Sequence, residues 1–135
     1  MVGLVVASHG HLAEELLATA KLIIGELPGV KACSVEPGAS PEEIRKSISD
    51  AVKTVETGDG VIVLADLVGG SPCTQSLSLC RQARIEVITG VNLPMLLKAV
   101  TLRIRVSALA DLAQEIAQYG QRNITWATEQ LRQLT

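Results

Sequence analysis

Short β-branched runs alternate with longer segments of helical period along the chain. The runs 2–7, Val61–Ala65 and Ile85–Thr89 are largely apolar, which is typical of strands buried on both faces of a parallel sheet. A less apolar run at 31–36 completes the set. Because strands that alternate with helices favour right-handed crossovers, the pattern predicts an α/β fold, a doubly wound open sheet of about four parallel strands with helices on both faces.

The intervening segments repeat apolar residues three and four positions apart, as helices with one buried side do. Their expected buried stripes, helix by helix, are Leu12, Leu16, Ala20 and Ile23; Ile44, Ile48, Ala51, Val52 and Val55; Cys73, Leu77 and Cys80; and Leu109, Leu112 and Ile116. The second helix is expected to start with a capping box from Ser40 to Glu43, and the third with Gly69-Gly70-Ser71-Pro72. A short apolar helix is expected over residues 95–102, and Ser107 is expected to cap the last helix.

The chain after Gly120 is ambiguous. Ile124 and Trp126 alternate with polar neighbours, which predicts a short antiparallel edge strand over 124–127, with a frayed helix as the alternative.

Composition narrows the class of protein. A chain of 135 residues is expected to form one domain, 1–135, and its net charge of −2 gives no reason to expect nucleic acid. Tyr119 and Trp126 are its only aromatic residues, which disfavours a flat cofactor or a bound sugar ring. The three cysteines lack the spacing of a zinc site. We therefore expect a soluble cytoplasmic protein with no metal and no cofactor.

The residues with candidate chemical roles follow the carboxyl ends of predicted strands, where open α/β sheets bind ligands. His9 follows the first strand and Asp66 the third. Right-handed crossovers permit the strand order 2-1-3-4, and we expect this order to bring these two side chains together. An aspartate that accepts a hydrogen bond from one imidazole nitrogen fixes the tautomer, leaves the other nitrogen free to attack, and stabilises the charge that the ring acquires.

Two helix starts beside this pair are candidates for binding an anion. Gly69, Gly70 and Ser71 offer backbone N–H groups and a hydroxyl. Gly10 has no side chain, so the backbone at the start of the first helix is open to an anion. Each feature also has a structural explanation, a turn or a cap, but all of them fall at one edge of the sheet. The arrangement therefore predicts a phosphoryl group held on histidine. His11 lies on the first helical turn and is expected to be an exposed rim residue.

Three stretches together resemble the IIA domain of the mannose/fructose/sorbose family of the bacterial phosphoenolpyruvate-dependent sugar phosphotransferase system. They are "ASHGHLAEELL" at 7–17, "VLADLVGGSP" at 63–72 and "VITGVNLPMLL" at 87–97. The resemblance implies that His9 is the phosphoryl acceptor, that Asp66 is its hydrogen-bonded partner, and that Ser71 and its glycines hold the phosphoryl group. Asn92 and Pro94 match the family's loop beside the site.

The resemblance also implies partners. The small carrier HPr is the phosphoryl donor, a IIB component is the acceptor, and the membrane IIC/IID permease acts indirectly. Members of the family commonly form homodimers, some by exchanging a C-terminal strand, for which 124–127 is suited. Leu67 and Val68 replace a more polar pair often seen in the family, and His11 replaces a bulkier residue, so the surface where partners dock differs. No IIB segment follows in the sequence, so a separate acceptor is expected.

Three alternatives stay open. A IIA-like subunit that donates phosphoryl groups to dihydroxyacetone kinase shares the fold and the histidine. A regulatory module of the kind found in some transcriptional activators would carry the same site within a longer chain. A histidine phosphatase would need a second histidine and several arginines around the phosphate, whereas Ser8 precedes His9 and His11 is the only other histidine.

Overall fold

A computed structural model describes residues 1–106 and 108–135, in which four strands alternate with helices. The strands are β1 (Gly3–His9), β2 (Val30–Val35), β3 (Val61–Ala65) and β4 (Ile85–Thr89). The helices are α1 (Leu12–Ile24), α2 (Pro41–Val55), α3 (Ser71–Ser78), α4 (Leu93–Leu102), α5 (Leu109–Arg122) and α6 (Ala127–Leu134). The predicted cap at Ser107 lies outside the described residues.

The sheet is parallel throughout, in the order β2-β1-β3-β4, and confirms the predicted fold class. β1 and β3 occupy its centre, and their residues are fully buried except for His9 at the end of β1. Ala7 pairs with Ala65, and beyond this pair the Asp66 N–H donates to the Ala7 carbonyl at 3.2 Å while β1 continues beside β2 to His9. This register places His9 and Asp66 at the same edge.

Helices cover both faces of the sheet and produce two cores. Leu4, Val6, Ile62 and Leu64 pack under α1, α4 and α5. The alternate residues of the same strands pack with α2 and other side chains in the second core. Burying one such aliphatic side chain contributes roughly 1.5–3 kcal/mol, so the central strands are the most strongly anchored elements.

The predicted start and buried stripe of α2 are confirmed. Ser40 is the N-cap, and its hydroxyl oxygen accepts a hydrogen bond from the Glu43 backbone N–H at 3.1 Å. Pro41 occupies the first turn, where its missing N–H costs nothing. All five stripe residues expected from the sequence are buried: Ile44, Ile48, Ala51, Val52 and Val55.

The predicted stripe of α1 is partly wrong. Ala20 is buried as expected and Leu16 packs partly buried against the core, but Leu12 and Ile23 are exposed and Ala13 is buried. The buried hydroxyl of Ser8 accepts a hydrogen bond from the Ala13 N–H at 2.7 Å, which fixes the rotation of the helix at its first turn. At this turn Ala13 therefore faces the sheet in place of Leu12.

The stripe of α3 is also partly wrong, because the helix ends at Ser78 after two turns. Cys73 is buried as expected, but Leu77 is half-exposed and Cys80 lies beyond the helix end. Ser76 takes the inward position, and its hydroxyl donates to the Pro72 carbonyl at 2.6 Å. A serine can turn inward in a helix because its hydroxyl bonds to the carbonyl four residues earlier.

In this single chain the segment 124–127 does not form the predicted edge strand. Ile124 and Trp126 are exposed, and α6 follows with no buried residue. A strand needs a neighbour to satisfy its backbone, and a helix satisfies its own. Residues 124–126 form neither a strand nor a helix, and only Ala127 belongs to α6, so the segment takes neither of the two expected forms.

Arg103 is an unexpected buried cation at the amino end of the sheet. Its guanidinium donates to the carbonyls of Val2 at 3.1 Å and Gly29 at 3.3 Å, and to that of Pro28. Burial lowers the pKa of Arg103. These bonds hold the loops on the side opposite His9.

Within residues 1–106 and 108–135, every helix is too short or too polar to cross a membrane.

Candidate functional site

His9 and Asp66 meet at the carboxyl edge of the sheet, as the sequence predicts. The imidazole Nδ1 lies 2.7 Å from Asp66 Oδ2, and the His9 backbone N–H donates to the same oxygen at 2.9 Å. The other carboxylate oxygen accepts from the Leu67 N–H at 2.9 Å. The carboxylate therefore fixes both the backbone and the ring of His9.

The charge state of Asp66 determines which tautomer His9 adopts. Burial raises the pKa of the Asp66 carboxyl, but hydrogen bonds from His9 and Leu67 outweigh it, so that the pKa is lowered overall. An ionised carboxylate can only accept hydrogen bonds, so the proton of the neutral ring lies on Nδ1. Nε2 then carries a free lone pair on a side chain that is 50% exposed.

Gly70 lies against the reactive edge of the imidazole. A Cβ at this position would lie 2.6 Å from His9 Cε1 and 3.2 Å from Nε2. The backbone at the start of α3 can therefore approach Nε2 this closely only because residue 70 has no side chain. Sequence reasoning placed Gly70 at an anion site, but the contact itself depends on the loop conformation.

The other predicted site residues have varied environments. Ser71 is exposed on the first turn of α3, where backbone N–H groups lack helical partners. Gly69 adopts a φ of 80°, which favours glycine. Gly10 adopts a φ of 56°, but its N–H donates to the Val35 carbonyl at 3.1 Å. An anion would therefore meet α3 donors rather than the Gly10 amide.

Asn92 and Pro94 contribute to the start of α4. The Asn92 side-chain oxygen accepts from the Met95 N–H at 2.9 Å, and its amide donates to the Gly120 carbonyl at 3.1 Å. Pro94 occupies the first turn. These contacts tie α4 to α5, and a role in phosphoryl chemistry stays a prediction.

His11 has a different environment from His9. It is exposed, and its Nδ1 lies 3.4 Å from Glu14 Oε2 on the same helix. It is the N-cap of α1, but its side chain makes no capping hydrogen bond.

Ser8 is the site residue that the sequence reasoning missed. It is fully buried one position before His9, and its hydroxyl holds the first turn of α1 through Ala13. The available signal was a polar residue at the end of an apolar run, two positions before Gly10 and four before the start of α1.

Comparison with known proteins gives concordant matches. The sequence model of the EIIA-man family, described as PTS system fructose IIA component, matches residues 3–117. The mannose-specific EIIAB component of Escherichia coli K12 is 34% identical over 103 residues, which cover 76% of this chain and 32% of that protein. The chain thus spans about a third of the length of that relative.

Two further proteins match over nearly their whole length. The fructose-specific EIIA component of Bacillus subtilis strain 168 is 26% identical over 135 residues, covering 99% of this chain and 92% of that one. The crystal structure of phosphotransferase system component EIIA from Streptococcus agalactiae has a TM-score of 0.88 at 26% identity, covering 96% of this chain and 99% of that one.

Proposed function

The chain belongs to the mannose/fructose/sorbose family of PTS IIA components, and from this premise we propose that it carries a phosphoryl group on His9 Nε2 between HPr and a IIB component. One observation carries the proposal above all. Asp66 holds Nδ1 at 2.7 Å, which leaves Nε2 unprotonated, half-exposed and beside the start of α3.

The transfer exchanges one phosphorus–nitrogen bond for another. The Nε2 lone pair attacks phosphorus on the donor's phosphohistidine, and the donor nitrogen leaves with the electron pair of the broken bond. The His9 ring becomes positively charged because it keeps its Nδ1 proton. The Asp66 carboxylate, with its side chain only 9% exposed, stabilises this charge at short range.

The start of α3 is the proposed cradle for the phosphoryl oxygens. Gly70 allows the backbone to reach Nε2, and Ser71 adds a hydroxyl on the first turn. The N-terminus of a helix favours an anion through its free N–H groups and its dipole. No metal or nucleotide takes part in this proposal, because one histidine phosphate is exchanged for another of similar energy.

The partners follow from the same premise. The proposed donor is phospho-HPr, the acceptor a IIB component, and a membrane IIC/IID permease the final user of the phosphoryl group. The matched family and relatives are named for mannose, fructose and sorbose systems, which favours sugar transport over the alternative of a subunit serving dihydroxyacetone kinase.

Intact-mass analysis tests the proposal directly. The chain is incubated with phosphoenolpyruvate, enzyme I and HPr, and one added phosphoryl group is expected on wild type and on His11→Ala. His9→Gln is expected to remain unmodified. A phosphoryl group that persists in His9→Gln, or none on wild type, would contradict the assignment.

We also expect a homodimer. β4 is an edge strand, and a cleft of about 450 Å³ between β4 and α5 includes Ile124 at its margin. Segment 124–127 of a second copy is the proposed occupant. Sedimentation as a monomer at micromolar concentration would remove this part of the proposal.

A further inference from the structure

Arg103 is a buried cation that forms no ion pair with a carboxylate of residues 1–106 and 108–135, although it is only 4% exposed. Its Nε donates to the Val100 carbonyl at 3.4 Å, and its Nη2 donates to that of Pro28. Both hydrogens of Nη1 are used, on the carbonyls of Val2 and Gly29. Because a guanidinium has five N–H groups, one N–H on Nη2 has no acceptor in the described part of the chain.

A cavity of about 270 Å³ lies beside this guanidinium. Its lining is apolar except for two charged side chains, and consists of Met1, Val2, Asp59, Arg103, Ile104 and Val106. The Asp59 carboxylate pairs with the Met1 ammonium rather than with Arg103. A buried charge is costly unless another charge compensates it, and arginine stays protonated at any pH that a folded protein meets. The cavity therefore combines a permanent cation, an unused donor and apolar walls.

We propose that this cavity binds a small monocarboxylate with a short aliphatic chain. The carboxylate accepts from Arg103, which forms its strongest hydrogen bonds with such anions, and the aliphatic chain packs against Ile104 and Val106. The Asp59 carboxylate on the same wall repels a doubly charged anion more strongly than a singly charged one, which disfavours phosphate. The volume suits a ligand of a few atoms, because the pockets of larger ligands exceed roughly 300 Å³.

The cavity and the proposed phosphoryl site lie at opposite edges of the sheet. Val2 directly precedes β1 and His9 ends it, and the seven residues of this strand separate the two by about 20 Å. A ligand beside Arg103 therefore does not touch His9. The binding proposal and the proposed function of His9 can each fail without the other.

Titration with sodium butyrate at constant ionic strength, followed by NMR, tests the proposal. In wild type the methyl signals of Val2, Ile104 and Val106 should shift and saturate, with a Kd on the order of 1 mM, as expected for so small a ligand. Inorganic phosphate should bind about tenfold more weakly or not at all, because of its second charge.

Ile104→Glu is the decisive variant. Ile104 is 74% exposed, so glutamate is tolerated there, and it adds a second carboxylate to the cavity wall that should weaken butyrate binding at least about tenfold. Leu22→Glu is the matched control, because it makes the same change of charge at a residue that is 88% exposed and outside the cavity. Arg103→Met removes the cation directly, but it also takes donors from the loop carbonyls and so changes stability as well.

Several results would overturn the proposal. They are wild-type signals that do not saturate by about 50 mM butyrate, equal affinity in wild type and Ile104→Glu, or phosphate that binds as tightly as butyrate. Butyrate shifts confined to the surroundings of His9 and Ser71 would place the anion at the other edge of the sheet. An equal loss of binding in Leu22→Glu would show that net charge, rather than the cavity, controls the affinity.

Discussion

Gly70→Ala tests the close approach between α3 and the imidazole. Gly70 has φ −82° and ψ 163°, a conformation that alanine adopts without strain. The added Cβ would lie 2.6 Å from His9 Cε1, whereas carbon atoms in contact are normally about 3.5–4.0 Å apart. The ring or the loop must therefore move by about 1 Å.

The expected loss follows from that displacement. The ring is tied to Asp66 through the 2.7 Å contact at Nδ1, so it cannot turn away without weakening that bond. A 1 Å misplacement of a reacting group costs about 100-fold in rate. We expect Gly70→Ala to accept phosphate from phospho-HPr about 100-fold more slowly, with a change in unfolding free energy of less than about 1 kcal/mol.

Gly69→Ala is the informative comparison, because Gly69 has a φ of 80° and no atom near its missing Cβ. Alanine there should cost about 1–2 kcal/mol of folding free energy and affect transfer less than Gly70→Ala does. Time-resolved intact mass measures transfer, and urea unfolding measures stability. A Gly70→Ala chain that is as stable as wild type and transfers phosphate at the wild-type rate would refute the steric reasoning.

Three further perturbations test separate contacts. Asp66→Asn should slow phosphorylation of His9 at least 100-fold, since an amide can donate to Nδ1 and favour the wrong tautomer. Phosphorylation at the normal rate would refute this. The same variant should also change the pH dependence of stability. Because the folded-state pKa of Asp66 is lowered, its stabilising contribution is present above the unfolded pKa of about 3.9 and is lost as pH falls through the folded value. The unfolding free energy, measured in urea at decreasing pH, should therefore fall less steeply in Asp66→Asn than in wild type. Ser8→Ala should lower the unfolding free energy measured in urea by about 1–3 kcal/mol, because the Ala13 N–H loses its partner. Ser34→Ala is the control and should lower it little, because the Ser34 hydroxyl on the neighbouring strand has no partner. Equal effects of the two substitutions would contradict the role of Ser8. Arg103→Met should lower the unfolding free energy by about 2–4 kcal/mol, since buried carbonyls lose charged donors, and an unchanged urea midpoint would disprove it.

The sequence predicted the sheet well because its signals are local. β3 and β4 begin and end where their apolar runs do, and α2 starts at its capping box. β1 is longer than expected and runs to His9, while α4 begins at Leu93 rather than at residue 95. Element ends depend on caps and neighbouring strands, which periodicity alone does not specify.

Helix rotation was predicted less well than helix position. Successive residues of a helix point about 100° apart, so one hydrogen bond at the helix start can decide which of two neighbouring residues is buried there. For α1 that bond joins Ser8 to Ala13, and it turns Leu12 outward. The segment 124–127 has a strand pattern but pairs with no strand among residues 1–106 and 108–135 of one chain.

By itself, the sequence determined an alternating α/β chain and the residue types of the candidate phosphoryl site, because apolar periodicity, capping residues and a histidine before glycine are local features. Tertiary structure decided their geometry. Parallel pairing of β1 with β3 brings together His9 and Asp66, which are 57 positions apart, and the turn before α3 places Gly70 against the ring. Such contacts depend on strand register and loop conformation, and both are determined jointly by residues that are distant in sequence.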